Sequence, residues 1–337
     1  MPDFHSHRKP SLLTAGKVGR RDTLRSLAAV GLASMGLPQL AFAQASSADW
    51  PRRPIQIMIG FPPGGTNDLA ARALAPSLQV ALGVPVTVTN VPGAGGIIAL
   101  QKLMQAPPDG YTLLYTPSPT LLARPYQMSL ALTHRDVSPV ANVAMAVPTI
   151  SVKSDHRWKT FKDFQAEALA HPGKIAYASP GVGGLPHIAM ENTAAQLGLK
   201  LNHVPYKGAT DAVLAAISGQ LDIVVGDLAR PDIRPLAVVA DERVPFWPNV
   251  PGMRELGVAT TLVPRFSIVG PKGLPDAIAQ RFGSALRLAM NEAPFKRLLI
   301  DNRMAESFLT PSETLAIWEK EEPAYRRLID QLDLKGK

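Results

Sequence analysis

The period of the apolar positions changes repeatedly along the chain, and each change predicts an element. Ile55-Gln56-Ile57-Met58-Ile59 alternates as a strand does, and Phe61-Pro62-Pro63-Gly64-Gly65 then forces a turn. A helix follows, in which Leu69, Ala70, Ala73, Leu74, Ala81 and Leu82 form one apolar stripe. Val86 to Thr89 is a second strand, closed by Pro92-Gly93-Ala94-Gly95-Gly96 and a helix to about Ala106. Pro107-Pro108-Asp109-Gly110 makes a turn before a third strand, Tyr111 to Tyr115. This β-α-β-α-β order implies a parallel sheet with right-handed crossovers, hence α/β layers.

The scheme then recurs. Ile175 to Ala178 predicts a strand before a Gly-rich turn and helix, and Asp211 to Ser218 a helix before the strand Leu221 to Val225. Pro275 to Leu334 reads as mainly helical. Val140 to Val152 has the pattern of a strand crossing between domains, and Phe266 to Val269 that of a return crossing. One domain is then expected over 46–146 plus 266–337, the other over 147–265, with a cleft between them. The 337 residues agree with two domains at roughly 150 residues each.

Composition narrows the function classes. Apolar residues at 46% and charged residues at only 18% exclude a disordered, highly charged chain. The absence of cysteine removes disulfides, Cys-ligated zinc, iron–sulfur clusters and thiol catalysis together. The formal charge of +8 suggests acidic macromolecules as partners until its location is considered.

Residues 1–43 read as an export signal. Arg8, Lys9, Lys17, Arg20, Arg21 and Arg25 precede an apolar run from Leu27 to Leu37, Pro38 breaks it, and Ala41-Phe42-Ala43 supplies a small-x-small cleavage pattern. Arg20-Arg21 before an Ala/Gly-rich core resembles a twin-arginine signal. The rival reading, an uncleaved anchor, is opposed by Pro38, Gln39 and Gln44 and by the short apolar core. The segment holds six Lys/Arg and two Asp/Glu, so half of the +8 leaves with it. What remains shows no basic cluster interleaved with aromatics, and no nucleic-acid partner is expected.

Two Gly-rich loops carry the chemistry. Gly60 to Asp68 has strand-turn-helix context, with Thr66 or Asn67 available as a cap, and Ser179-Pro180-Gly181-Val182-Gly183-Gly184 before the His187 helix is a second of its kind. Unpaired N–H groups and the helix dipole at such starts suit an anion, although a tight capped turn explains either loop alone. Other motifs fail. Ile98 and Pro186 stand where a dinucleotide fingerprint needs Gly or Ala, and neither a Walker lysine pattern nor a Gly-x-Ser-x-Gly elbow occurs. His134, His156, His171, His187 and His203 include no i,i+4 pair, so no metal or cofactor is expected. For His187 a structural hydrogen bond near the helix start competes with a binding role.

With these pieces in order, the chain resembles the Bug-type solute-binding receptors of tripartite tricarboxylate transporters. The matching residues are Phe61-Pro62-Pro63-Gly64-Gly65 with Asp68 and Ala71-Arg72, Pro92-Gly93-Ala94-Gly95-Gly96, Pro108-Asp109-Gly110-Tyr111-Thr112-Leu113-Leu114, Val204-Pro205-Tyr206-Lys207-Gly208 and Gly219-Gln220-Leu221-Asp222. The resemblance runs from about Trp50 to Leu334. It implies a type II-like periplasmic binding protein of two α/β domains joined by two crossing strands, monomeric, closing on a small organic carboxylate and serving integral membrane permease subunits. It also implies that backbone amides and water at the two loops grip the ligand. Carried over by position, the ligand-binding residues are Phe61, Gly64, Gly65, Thr66, Asp68, Thr120, Ser179, Gly181, Gly183, His187 and Asp227.

Departures from the family pattern sharpen the ligand. Val182, Gly184 and Leu185 replace polar residues in the second loop, and an apolar lining disfavours a second buried charge. A carboxylate with an apolar or aromatic body is therefore expected, not citrate or an acidic amino acid. Pro117, Ser118 and Pro119 interrupt a pattern usually carrying glycines, and the chain after Asp227 is short, weakening its support. Arg124, where Asn is common, offers a bidentate carboxylate partner or is a solvated surface arginine. Besides a transport receptor, the sequence admits a ligand-presenting partner of a sensor, whereas an exported hydrolase lacks a nucleophile–base constellation.

Overall fold

The computed structural model describes residues 50–206, 208–226, 230–259 and 261–336. The expected export signal and Asp227 lie outside the described residues.

β1 (Ile55–Ile59) pairs in parallel with β2 (Val86–Asn90) and β3 (Thr112–Pro117), with α1 (Thr66–Leu82) and α2 (Ile97–Met104) as the crossovers. Of the expected apolar stripe of α1, Ala70, Leu74 and Leu82 are buried, but Leu69 is 42% exposed and Ala81 faces solvent, while Leu78, outside that stripe, is fully buried. Gly83 ends the helix in the left-handed region at φ 72°. Two short helices, α3 (Pro119–Leu122) and α4 (Arg124–Gln127), lead to the long β4 (Val137–Ala146). The second half runs β5 (Thr149–Lys153), α5 (Phe161–Ala170), β6 (Ala176–Ser179), α6 (Leu185–Leu197), β7 (Asn202–Pro205), α7 (Ala209–Ile217), β8 (Ile223–Gly226) and β9 (Ile233–Val238). The chain closes with β10 (Arg265–Pro271), α8 (Asp276–Met290), α9 (Ala293–Asp301), β11 (Met304–Leu309) and α10 (Pro311–Gln331).

Two mixed sheets result, a six-stranded one ordered β11-β4-β10-β3-β1-β2 and a five-stranded one ordered β7-β6-β8-β5-β9. β10 runs antiparallel to both β3 and β4. Helices α1, α8 and α9 cover one face of the first sheet, where Tyr115, Phe282, Leu286 and Phe295 share a core. On the other face Trp318, Tyr325 and Ile329 of α10 pack with Met58, Leu100 and Leu114, and Ile188 of α6 joins the same cluster. The second sheet has its own core around Trp158, Phe161, Phe164, Tyr177 and Met190.

The chain passes between the sheets twice. The expected continuous strand from Val140 to Val152 is broken at Val147 and Pro148, because proline has no N–H for a ladder. The return passes through Pro264 into β10, and Ala146 N–H donates to Pro264 O at 2.9 Å, so the crossings lie side by side. Arg265, the first residue of β10, is buried there. Its Nε–H donates to Glu321 Oε1 of α10 at 2.9 Å, and its Nη2 lies 3.6 Å from Asp241 Oδ2. The tail is less uniformly helical than expected, since β11 adds an edge strand antiparallel to β4.

This buried pair gives a stability test. Glu321→Ala leaves the Arg265 charge buried without its 2.9 Å partner, which should cost about 3–5 kcal/mol in chemical unfolding. Glu321→Gln, which keeps an oxygen acceptor, should cost less.

Candidate functional site

The carboxyl ends of β1 and β6 open into the two glycine loops, where open α/β sheets hold ligands. At Gly60 a Cβ would sit 2.6 Å from Gly96 Cα, so the first loop and the Gly93–Gly96 turn touch backbone to backbone. α1 starts from an N-cap glycine, Gly65, with no side-chain cap. Leu69 N–H is the first donor to bond back, to Gly65 O at 2.9 Å. The N–H groups ahead of it are those a helix start leaves open.

Asp68 secures this loop from behind. It is 3% exposed; its Oδ2 accepts from Gly64 N–H at 2.9 Å, and its Oδ1 from Arg72 Nε–H and Asn90 Nδ2–H, both at 2.9 Å. Asn90 also donates to Phe61 O at 3.1 Å. The Arg72 hydrogen bond, helped by Gly64 and Asn90, overcomes burial and holds the Asp68 carboxyl at about 2.

The second loop is braced by histidines. Gly183 N–H donates to His187 Nδ1 at 2.9 Å, the His187 and His203 rings stack at 3.8 Å, and His203 Nε2 meets Ser179 Oγ at 2.6 Å. Gly181 N–H donates to Ser179 Oγ at 3.3 Å. Burial, then the neighbouring His203, lowers His187 to about 4, and burial lowers His203 as well. Both rings are therefore neutral at pH 7, which Nδ1 needs in order to accept. α6 begins after Gly184, and Ile188 N–H bonds back to Gly184 O at 3.0 Å.

Between the loops lies a cavity of about 330 Å³. Of the residues expected to bind ligand, Phe61, Thr66, Thr120 and Gly183 line it. Gly64, Gly65, Asp68, Ser179, Gly181 and His187 do not; they shape and brace the loops, and His187 takes the structural hydrogen bond weighed against a binding role. Gly184 and Leu185 line the cavity, whereas Val182 points outward at 56% exposure. The wall also uses residues that sequence reasoning passed over: Asn67, Gln127, Ile188, Phe266, Asn302 and Met304. Asn302 and Met304 come from the end of α9 and from β11, where no motif marks them. Asn67 alone had a signal, as a possible cap beside the glycines. Thr66 Oγ1–H donates to Asn302 Oδ1 at 3.3 Å, and the buried Asn67 Oδ1 has no hydrogen-bond partner. No Asp, Glu, Lys or His lines the cavity among the described residues, and Arg124 is the one ionisable side chain there.

A family model described as tripartite tricarboxylate transporter family receptor matches residues 70–334. Protein BugT of Bordetella pertussis is 31% identical over 307 residues, covering 86% of this chain and 92% of its own. A protein of the gbd 5' region of Cupriavidus necator is 30% identical over 324 residues, covering 94% and 97%. Among solved structures, a TctC solute-binding protein from Polaromonas is similar in fold, with TM-score 0.79, 24% identity and coverage of 84% and 99%. A periplasmic transporter is 28% identical, with TM-score 0.62 and coverage of 85% and 99%.

Two tests follow from the braces. Asp68→Ala removes three hydrogen bonds to a charge and should destabilise the fold by roughly 3 kcal/mol in denaturant. Asp68's contribution is present above its ordinary pKa of 3.8 and is lost as pH falls toward about 2, so the deficit should shrink in that window. His187 behaves in the same sense at higher pH. The unfolded chain takes up its proton near 6.5 and the folded chain only near 4, so stability should fall as pH drops through that interval. His187→Gln, which keeps an acceptor but no titration, should flatten that slope.

Proposed function

The chain belongs to the tripartite tricarboxylate transporter receptor family, and from that premise we propose that it captures a small carboxylate with an apolar or aromatic body in the periplasm. The observation that carries this reading is the convergence of two helix starts, α1 and α6, on one small cavity free of acidic side chains among the described residues. The open N–H groups at those starts, with the positive ends of both helix dipoles, suit one carboxylate. The N–H groups of Thr66 and Asn67 at the α1 start and of Leu185 at the α6 start present that end, since Gly183 N–H and Gly184 N–H are already taken by His187 Nδ1 and Gly181 O.

Phe61, Phe266, Met304, Ile188 and Leu185 receive the body. The volume of about 330 Å³ lies at the lower end of small-molecule sites, which suits a small acid. The protein is a receptor, not an enzyme. The one close serine–histidine pair among the described residues, Ser179 and His203, is out of reach of a substrate, since Ser179 is 0% exposed.

The two sheets, as lobes spanning 46–146 plus 266–337 and 147–265, close on the ligand by bending at the paired crossings. The closed monomer then presents the solute to integral membrane permease subunits, with no role for nucleic acid. Residues 1–43, with Arg20-Arg21, direct export and are removed.

Native mass spectrometry of protein isolated from its own periplasm should show a co-purified small acid. Calorimetry should then give tighter binding of aliphatic and aromatic acids than of citrate or glutamate. Tight citrate or glutamate binding, with none of the apolar acids bound, would overturn the apolar-body assignment.

A further inference from the structure

Arg124 has no function in that account, although it is the one charged side chain on the cavity wall among the described residues. No carboxylate among the described residues pairs with it. Its Nη1–H donates to the neutral Gln127 Oε1 at 3.2 Å, which leaves most of the five-donor fork open. The side chain lies across Gly95, where a Cβ would come within 2.6 Å of Nε and 3.3 Å of Cζ. Thr120 Oγ1–H fixes the carbonyl of that glycine at 3.0 Å. Gln127 is itself held, since it is buried and its carbonyl accepts from Gly336 N–H at 2.7 Å. A guanidinium seated on a bare glycine and steadied by a buried amide is pre-ordered, not a loose surface arginine.

Its position adds a direction. Arg124, Gly95 and Gln127 also line a neighbouring cavity of about 450 Å³ with Ala94, Met128 and Gly336. The helix starts border only the inner space. Arg124 therefore stands where the inner cavity meets the outer one, away from the carboxylate site at the loops. The lining offers no other cation among the described residues, so a second oxyanion reaching Arg124 meets an unneutralised guanidinium with bidentate geometry.

We propose that Arg124 is a specificity-determining residue that reads the outer end of the ligand and favours an oxyanion there, with Gly95 and Gln127 as its seat. This rests on the carboxylate reading above and adds to it which far-end chemistry the receptor prefers.

Matched probes test it: suberate and terephthalate, each against its monomethyl ester, which removes only the outer charge. Wild-type protein should bind each diacid about tenfold more tightly than its ester, and added salt should erode that preference because Arg124 is partly solvated. Arg124→Gln should bring diacid and ester to near parity through loss of diacid affinity, with unchanged thermal unfolding. Arg124→Lys should keep part of the preference. Gly95→Ala, which displaces the guanidinium without removing it, should lower the preference too. Equal wild-type binding of diacid and ester, or a preference that survives in Arg124→Gln, would overturn this inference and leave the carboxylate reading standing. Failure of wild-type protein to bind any of the four probes would overturn both.

Discussion

Everything in this receptor depends on leaving backbone N–H groups unpaired at two helix starts while side chains behind the loops hold the rest of the loop backbone in place. A loop with free donors gains nothing from its own hydrogen bonds and must be held by something else. Here that support comes from behind. Asp68 ties Gly64, Arg72 and Asn90 into one network, and His187 with His203 and Ser179 does the same for Gly181 and Gly183. The charges and titratable rings of the two loops therefore face the protein, and the peptide dipoles face the cavity.

The same logic governs the path between the sheets. Both crossings carry proline, at Pro148 and Pro264, and they share the hydrogen bond from Ala146 to Pro264. Arg265 then anchors the return strand to α10 through Glu321 and to the second half through Asp241. A pair as buried as Arg265–Glu321 adds little net stability, but removing either partner leaves an uncompensated charge inside the protein. The cavity opens beside Ala146, Pro264 and Phe266, so the element that fixes the crossings also forms one wall of the site.

How much of this was legible in the sequence follows from what each signal encodes. Period and turn chemistry revealed β1, α1, β2, α2 and β3 and both glycine loops, because local steric rules produce them. The second half was legible only in fragments. β9, with Ile233 to Val238, and β7, with Asn202 to Pro205, went unread because short strands between proline and polar residues lack a clear period. β11 was hidden for another reason: Met304 to Leu309 lies in a helix-rich tail and is a strand only because β4 offers it an edge. Within the site, sequence identified the right loops but could not tell front from back. Asp68 is two residues from Thr66, yet one lines the cavity and the other is enclosed behind it. Asn302 and Met304 could not be found at all, since their place in the wall is set by packing across more than two hundred positions, as the Thr66–Asn302 bond shows.

Net charge is the wrong scale on which to read this site. Half of the +8 belongs to residues 1–43, and most of the remaining cations whose partners are resolved sit in exposed pairs such as Arg243 with Glu255 and Arg230 with Asp232. Such pairs are worth little and project little field into a cleft. The potential inside the cavity comes instead from two dipole ends, each about half a charge, and from one arginine without an acidic partner among the described residues. Dipole ends hold an anion without a formal counter-charge. A bound carboxylate can therefore leave without stripping an ion pair from a low-dielectric site, a step that would cost several kcal/mol. A receptor that must release its solute to a permease gains from that arrangement. It also explains why the single full charge, Arg124, belongs at the solvent-reaching end of the cavity and not at its centre.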